Sequence, residues 1–396
     1  MKFIINPEHA KLDQSALKKH TCVAPYQTFQ IFVDGKVEVC CPTWMSKPIG
    51  NFFTDTAEEV FNSPVLKHIK EDMKEGKYSY CNDTCPYLTK LLLSQPENGG
   101  SQTFGIAWTP LYTTHQLAKF LKLIEYEVYF NFDRSCNLQC PSCRINLEVF
   151  TKNKTPEEWD RLSILQKQAE DLVELMLDRP DAKMVSINIT GSGDPFASET
   201  YWNYLLKLNE VGHLPRYEKL RIRLQTNGLL MTPEKMNKIK NLWKRLDIVS
   251  VSVDSTTQET YSKVRKGGKI ENVLNNLKWL DENVSSGNLS TIWDGIVHPT
   301  SWNVNFIVQA ENYKEMADFA KYHTQHKSVK KIWFNLIADW GHLDTSYGFG
   351  TFNKKAIWKE AHPEHQDFLN VLKDPIFKHP KLDVGTMTYF INKAQA

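Results

Sequence analysis

The chain of 396 residues has no apolar run of membrane-spanning length and no long block of like charge. The first absence excludes a transmembrane helix, and Met1-Lys-Phe-Ile-Ile-Asn-Pro-Glu-His9 lacks the apolar core of a signal peptide, so a cytoplasmic protein is expected. The 48 Lys and Arg against 46 Asp and Glu leave a formal charge of +2, without the electrostatic footprint that nucleic acid or an anionic membrane surface requires. Neither partner is expected. Cysteine is sparse, with eight residues, and these fall in two groups instead of being scattered as a disulfide framework. Metal binding is therefore the default expectation, in a chain long enough for one large domain and a smaller one.

The second group is Cys136, Cys140 and Cys143 in Asn-Phe-Asp-Arg-Ser-Cys-Asn-Leu-Gln-Cys-Pro-Ser-Cys-Arg, on a loop after a strand-like stretch. Cys-x3-Cys-x2-Cys supplies three thiolates, enough for three irons of a [4Fe–4S] cube with the fourth iron open. Taken alone, Cys-Pro-Ser-Cys also suits a thioredoxin-type redox pair, and three cysteines with a distant ligand could hold structural zinc. The first group is Cys22, Cys40, Cys41, Cys81 and Cys85. Asp34-Gly35 between two apolar runs signals a hairpin that delivers Cys40 and Cys41 to the end of its second strand, where they would face opposite ways if the strand continued. A helix over 57–76, interrupted at Pro64, leads back to Cys81 and Cys85, and a zinc knuckle remains open for this group. Residues 96–101, Pro-Glu-Asn-Gly-Gly-Ser, read as a linker.

From Glu125 short apolar strands alternate with helices, predicting parallel βαβ units with strands at 126–133, 184–190, 220–226, 248–254, 302–309 and 331–337. Thr155-Pro-Glu-Glu158 and Thr232-Pro-Glu mark helix starts. One strand face is apolar, for example Val185, Ile187 and Ile189, or Val304, Phe306 and Val308. The other is polar: Asn131 and Asp133, Asn188 and Thr190, Arg223 and Gln225, Ser250, Ser252 and Asp254, Asn303, Asn305 and Gln309, and Asn335. A closed barrel fills its interior with branched apolar side chains, so an interior lined this way should hold a polar ligand.

The cysteine triplet, Gly191-Ser-Gly-Asp-Pro195, Gln225-Thr-Asn-Gly228 and Ser250-Val-Ser-Val-Asp254 with Arg265-Lys-Gly-Gly268 fall at successive predicted strand ends. This set resembles the radical S-adenosylmethionine (SAM) superfamily, over about 125–340. The resemblance implies an α/β fold with a partial (β/α)6 TIM-like barrel. It implies a catalytic cluster on Cys136, Cys140 and Cys143, and SAM contacts from Gly191, Ser192, Gly193, Asp194, Gln225, Asn227, Ser252, Asp254 and Arg265. Ser192 and Asp194 depart from the family's Gly-Gly-Glu-Pro, and Ser142 replaces a frequent aromatic residue.

Gly35-x4-Cys40, Ile49-Gly-Asn and Cys81-x3-Cys85 resemble the SPASM or Twitch auxiliary-cluster modules, here placed before the barrel. That resemblance implies a small N-terminal α+β module with one auxiliary [4Fe–4S] cluster on Cys22, Cys40, Cys81 and Cys85. Cys41 is the spare, buried beside the cluster or, if it faced substrate, a hydrogen-atom donor for epimerisation. The expected organisation is an auxiliary module over 1–120, a barrel over 121–340 and an extension over 341–396. In that extension His362 and His365 read as surface or capping residues. The implied activity is reductive SAM cleavage to a 5′-deoxyadenosyl radical and hydrogen abstraction from a peptide or small sugar-like substrate. Dehydrogenation, crosslinking or epimerisation would follow, with a flavodoxin- or ferredoxin-type reductant. The competing class is an iron–sulfur electron carrier or a zinc-stabilised binding protein.

Overall fold

The computed structural model describes residues 15–82, 85, 87–88, 111–143, 154–189, 192–293, 295–338, 343–347 and 349–395. The expected linker at 96–101 and two residues of the second strand end, Thr190 and Gly191, lie outside them. No helix among the described residues is long and apolar enough to cross a membrane. The chain divides into two compact units, Met1–Asp133 with Lys154–Ser192 and Val211–Ile222, and Arg134–Asn153 with Gly193–Glu210 and Arg223–Ala396.

The first unit contains β1 (His20–Cys22), β2 (Thr28–Phe32), β3 (Lys36–Glu38), β4 (Gly50–Asn51), β5 (Leu111–Thr113), β6 (Ile124–Asn131) and β7 (Ala182–Ile189). β1 and β5 pair antiparallel, while the others run in the order β4-β3-β2-β6-β7. β2, β6 and β7 are parallel, and the hairpin from β2 through Asp34-Gly35 to β3 is antiparallel, as its turn residues predict. The expected helix over 57–76 is two helices, Ala57–Phe61 and Pro64–Lys74, because proline cannot continue the first but fits the opening turn of the second. Thr155 and Glu158 form the predicted capping box of helix Pro156–Leu177, which buries Leu162, Leu165, Ala169, Leu172, Val173 and Met176 at helical spacing.

β8 (Leu220–Thr226) begins in the first unit and ends in the second. The second unit adds β9 (Leu246–Ser252), β10 (Ser290–Trp293), β11 (Ile296–Pro299), β12 (Ser301–Val308), β13 (Val329–Leu336) and β14 (Leu382–Asp383). β9, β12, β13 and β14 are parallel neighbours in that order. The α/β fold is thus of the partial (β/α)-barrel type with a parallel sheet. The antiparallel hairpin β10–β11 and the short β14 carried no signal strong enough to predict.

Register confirms the two-faced strands. Asn303 aligns with Ser250, and Asn305 with Ser252, while Val304 aligns with Val251. Val249, Val251, Val304, Phe306 and Val308 are fully buried, Phe306 lying 4.7 Å from the Phe319 ring of helix Met316–Thr324. On the polar face Asn303 is only 6% exposed and its Oδ1 finds no partner among the described residues.

Four details differ from the sequence reading. The expected strands at 126–133 and 248–254 begin and end two residues earlier, so Asp133 and Asp254 follow their strands. Asp254 has left extended geometry altogether, at φ 65°. β3 stops at Glu38, so the opposite-face argument for Cys40 and Cys41 does not apply. His365 is buried at 8% exposure, its Nδ1 3.2 Å from the Ile357 carbonyl, whereas exposed His362 accepts the Glu364 N–H and is a local cap as expected.

Gly35 tests the hairpin. At φ 80° it needs a left-handed backbone, and an added Cβ would meet Asn51 Oδ1 and, at 2.5 Å, Phe53 Cδ2. Gly35→Ala is expected to destabilise the chain by about 1–3 kcal/mol, read as a lowered urea midpoint. An unchanged midpoint would show that the turn is not held as described.

Candidate functional site

The cysteine loop lies in the second unit, immediately after the end of the first unit's Met1–Asp133 segment. Cys136 and Cys140, 7% and 5% exposed, pack with Leu138 against Leu229, and the Cys143 N–H donates to the Cys140 carbonyl at 3.0 Å. Cys143 is exposed. Two of the three sulfurs have a donor at the edge of hydrogen-bond range. Asn227 Nδ2 stands 3.7 Å from Cys136 Sγ and donates to Asn137 Oδ1 at 2.9 Å, while Arg265 Nη1 stands 3.7 Å from Cys140 Sγ.

Arg265 is held from the other side. Its Nε and Nη2 donate to Asp254 Oδ2 at 2.8 and 2.7 Å, and the Ile307 N–H donates to Asp254 Oδ1 at 2.8 Å. Asn312 Nδ2 donates to the Asp254 carbonyl at 3.0 Å, which ties this left-handed residue to the end of β12. Burial raises the Asp254 carboxyl, and the Arg265 charge, with the Ile307 amide, opposes the rise. For Arg265 burial acts to lower the pKa, but Asp254, Cys140, Tyr261 and Cys143 together outweigh it and the guanidinium is raised. Burial likewise raises the Cys140 thiol, against the Arg265 charge that favours its thiolate.

Asp194 performs a similar task between loops. Fully buried, it accepts from Thr226 Oγ1 at 2.7 Å, Asn227 N at 2.8 Å and Phe196 N at 3.0 Å, while its own N–H donates to the Ser135 carbonyl at 2.9 Å. Its carboxylate is therefore committed to the loop after β8, which it ties to the cysteine loop. Burial raises this carboxyl, opposed first by the Asn227 amide and the Thr226 hydroxyl. Gln139 N donates to the Lys266 carbonyl at 2.9 Å, so the turn after Arg265 is bound to the same loop. The structure thus gathers the cysteine triplet, Asp194, Asn227, Asp254 and Arg265. Ser252 ends β9, half-buried, and Gln225 is half-buried on β8. Ser192 belongs to the first unit, where its hydroxyl donates to the Asn131 carbonyl at 3.0 Å; Gly193 begins the Gly193–Glu210 segment of the second. Gly191 lies outside the described residues. Thr226, Asn312 and the backbone of Lys266 were not anticipated as parts of the site. Thr226 was within reach of sequence reading as a member of Gln225-Thr-Asn-Gly228, whereas the other two act through contacts no motif displays.

The other cysteines lie in the first unit. Cys22 ends β1, Cys40 and Cys41 follow β3, and Cys81 and Cys85 follow helix Pro64–Lys74. Local backbone bonds shape the loops: Trp44 N and Met45 N donate to the Cys41 carbonyl, Asn82 N to the Trp44 carbonyl, and Cys85 N to the Asn82 carbonyl. Asn82 Nδ2 also donates to the Thr43 carbonyl. Burial pushes the Cys22 thiol up to about 12, with Cys85 adding to the rise. Burial also raises Cys81, reinforced by Cys22 and Cys85, and raises Cys40 well above the usual range, reinforced by Cys22, Cys85, Cys81 and Cys41. Cys85 is raised by burial and held back by the Leu88 and Tyr87 amides. Cys40 thus lies within the field of all three other expected ligands.

These donor sets fit iron–sulfur clusters. They are soft thiols without hard oxygen ligands among them, and no disulfide joins any of the eight cysteines. Among the described residues no three His, Cys, Asp or Glu side chains converge as ligands of a single ion do. A cube takes one thiolate at each iron and requires no such convergence.

Comparison with known proteins agrees. Residues 130–301 match the radical SAM superfamily, and residues 22–86, which hold all five remaining cysteines, match the SPASM iron–sulfur cluster-binding domain. The chain is similar to the tungsten-containing aldehyde ferredoxin oxidoreductase cofactor-modifying protein of Pyrococcus furiosus, 24% identical over 198 residues, 49% of this chain and 47% of that one. It therefore spans about half the length of that relative. Among solved structures it is similar to TYW1 with a lysine-pyruvate adduct bound, at 13% identity, 62% of this chain, 70% of that one and a TM-score of 0.36. It is also similar to methylornithine synthase (PylB), at 13% identity, 69% of this chain, 71% of that one and a TM-score of 0.34. Residues 130–301 thus match a radical SAM domain and residues 22–86 a SPASM domain, which imply a [4Fe–4S] cluster with SAM and an additional iron–sulfur cluster.

Proposed function

We propose that this chain cleaves SAM reductively at the triplet Cys136, Cys140 and Cys143 and uses the product to abstract a hydrogen atom from a polar substrate, peptide or sugar-like. Dehydrogenation, crosslinking or epimerisation completes the reaction, and a flavodoxin- or ferredoxin-type protein supplies the electron. The observation that carries this reading is the pair of donors on the cysteine sulfurs, Arg265 on Cys140 and Asn227 on Cys136, each fixed by a partner of its own. A cluster held by Cys136, Cys140 and Cys143 would supply the one-electron chemistry for reductive SAM cleavage.

The chain's own residues divide into contacts and supports. Arg265 gives Nε and Nη2 to Asp254 and Nη1 to Cys140 Sγ, which holds its charge at the triplet for the SAM carboxylate. Asp254 acts through Arg265, and Asp194 acts through the loop carrying Asn227, so both position residues that touch the ligand. Gly191, Ser192 and Gly193 offer backbone to the SAM amino group, small side chains permitting close approach. Ser252, Gln225 and Asn227 supply polar contacts at the strand ends. In the auxiliary module Cys22, Cys40, Cys81 and Cys85 are the ligands and Cys41 is the spare. Cys40 lies in the field of Cys22, Cys85 and Cys81, and Cys41 acts on both Cys40 and Cys85, so the choice of Cys40 rests on the Gly35-x4-Cys40 resemblance. The module spans 1–120, the barrel 121–340 and the extension 341–396, in a cytoplasmic protein.

Anaerobic reconstitution with iron and sulfide, followed by measurement of 5′-deoxyadenosine, tests the activity. About eight irons per chain with SAM cleavage is the expected result, and stoichiometric zinc without deoxyadenosine would sink the reading. Cys140→Ala is expected to abolish cleavage and Cys81→Ala to spare it at least in part. Asp254→Ala leaves the Arg265 guanidinium buried and unpaired, at an expected cost of about 3–5 kcal/mol. Urea unfolding of the iron-free chain reads this directly, and an unshifted midpoint would mean that the pair does not carry the strain assigned to it.

A further inference from the structure

The hairpin of the auxiliary module is hydrogen-bonded into the sheet that leads to the cysteine loop, since β2 pairs in parallel with β6 from Thr28 opposite Glu127 to Phe32 opposite Asn131. Register then sorts the side chains of β3, β2, β6 and β7 onto two faces. Phe29, Ile31, Val37, Val128 and Ile187 share one, where the Phe29 and Phe61 rings stack at 5.6 Å. The opposite face is polar and forms a row across four strands: Glu38 lies opposite Gln30, Gln30 opposite Tyr129, and Tyr129 opposite Asn188. Two residues earlier along β6, Thr28, Glu127 and Ser186 align in a second row. The two ends of this face are unmatched. Among the described residues Glu38 is 5% exposed with no hydrogen-bond partner for its Oε2, Ser186 is 0% exposed with none for its hydroxyl, and Asn188 Nδ2 has no acceptor. In the middle, Glu127 accepts from the Tyr129 hydroxyl at 3.1 Å. Lys36, two residues before Glu38 on β3, gives its ammonium to Asp34 at 2.6 Å. Buried carboxylates, amides and hydroxyls are normally matched, so the face calls for a cation at its β3 end and an acceptor at its β7 end.

We propose that this face binds the substrate, a peptide whose ammonium or guanidinium group pairs with Glu38 and whose carbonyl oxygens accept from Asn188 and Ser186. Glu38 on β3 and Asn188 on β7 stand three strand spacings apart, roughly 14 Å. An extended peptide covers that span in about four residues, whereas one sugar ring does not reach across it, so the face favours a basic peptide over a small sugar-like molecule. A charged N–H donor is the strongest partner for a carboxylate out of water, which makes Glu38 the group that selects for the cation. The strands carry the face toward the chemistry: β6 runs on into the cysteine loop, and beyond β7 the Ser192 hydroxyl donates to the Asn131 carbonyl at the end of β6, at 3.0 Å. The inference rests on the reading of the chain as a SAM-cleaving enzyme and names the substrate class of that reaction.

The test uses reconstituted full-length protein with SAM, immobilised under anaerobic conditions, and pools of acetylated, amidated pentapeptides carrying lysine, norleucine or glutamate at the centre. Norleucine keeps the aliphatic chain of lysine and removes the charge. The lysine pool is expected to bind at least about tenfold more tightly than the norleucine pool, and Glu38→Gln to bring that ratio near one. Glu38→Lys is expected to favour the glutamate pool, a reversal that a loss of folding would not produce. Asn188→Ala is expected to weaken every pool and leave the lysine-to-norleucine ratio unchanged. Equal retention of the lysine and norleucine pools by the wild-type protein, retention of neither included, overturns the proposal, as does a lysine preference that survives in Glu38→Gln. Should that variant lose its auxiliary iron, the wild-type ratio decides alone. Formation of 5′-deoxyadenosine from SAM and dithionite is measured on the same wild-type preparation. A lysine preference without it would overturn the SAM-cleaving reading, and with it the role of this face in the reaction, a result distinct from a missing preference.

Discussion

A guanidinium buried beside a thiol is tolerable only if something neutralises it, and Asp254 is that group. The pair is costly to bury, and such pairs are sustained by further hydrogen bonds that satisfy the remaining lone pairs. Here those bonds come from the Ile307 N–H and, through the backbone, from Asn312. Asp254 reaches them because it leaves β9 in a left-handed conformation, which non-glycine residues adopt at a cost. The strained residue, the termination of β9 and the presentation of Arg265 to Cys140 are one arrangement with one electrostatic cause.

Asp194 repeats this logic with neutral partners. Its carboxylate collects one hydroxyl and two backbone N–H groups, and its own amide binds the Ser135 carbonyl just before the first cysteine. Two buried carboxylates therefore brace the cysteine loop from two strand ends. Neither needs to touch a ligand to matter, since the loop's own packing is the small cluster of Cys136, Leu138 and Cys140 with Leu229.

The legible and illegible parts of the chain separate along this line. Strand and helix order was readable because alternation in Val304, Asn305 and Phe306 and the capping box at Thr155 are local patterns. Asn227 and Arg265 were readable as site residues because their motifs stand at strand ends. What Asp194 and Asp254 do was not, because a motif names a residue without saying which of its neighbours claims its oxygens. His365 misled for another reason, since a polar stretch around it hid its burial against Phe368 and Phe390.

The auxiliary cysteines follow a different physical rule from the triplet. At Cys140 burial raises the thiol and the Arg265 charge opposes that rise, so part of the burial penalty on the thiolate is already offset by the chain. Around Cys22, Cys40 and Cys81 the fields of neighbouring cysteines reinforce burial, and each ionisation opposes the next. Only a bound cation can reverse that sign, because ligation requires deprotonated sulfur and releases the protons that burial retains. The first unit thus couples iron loading to proton release through its own core, whereas Arg265 lends the Cys140 sulfur a charge partner that the chain itself provides.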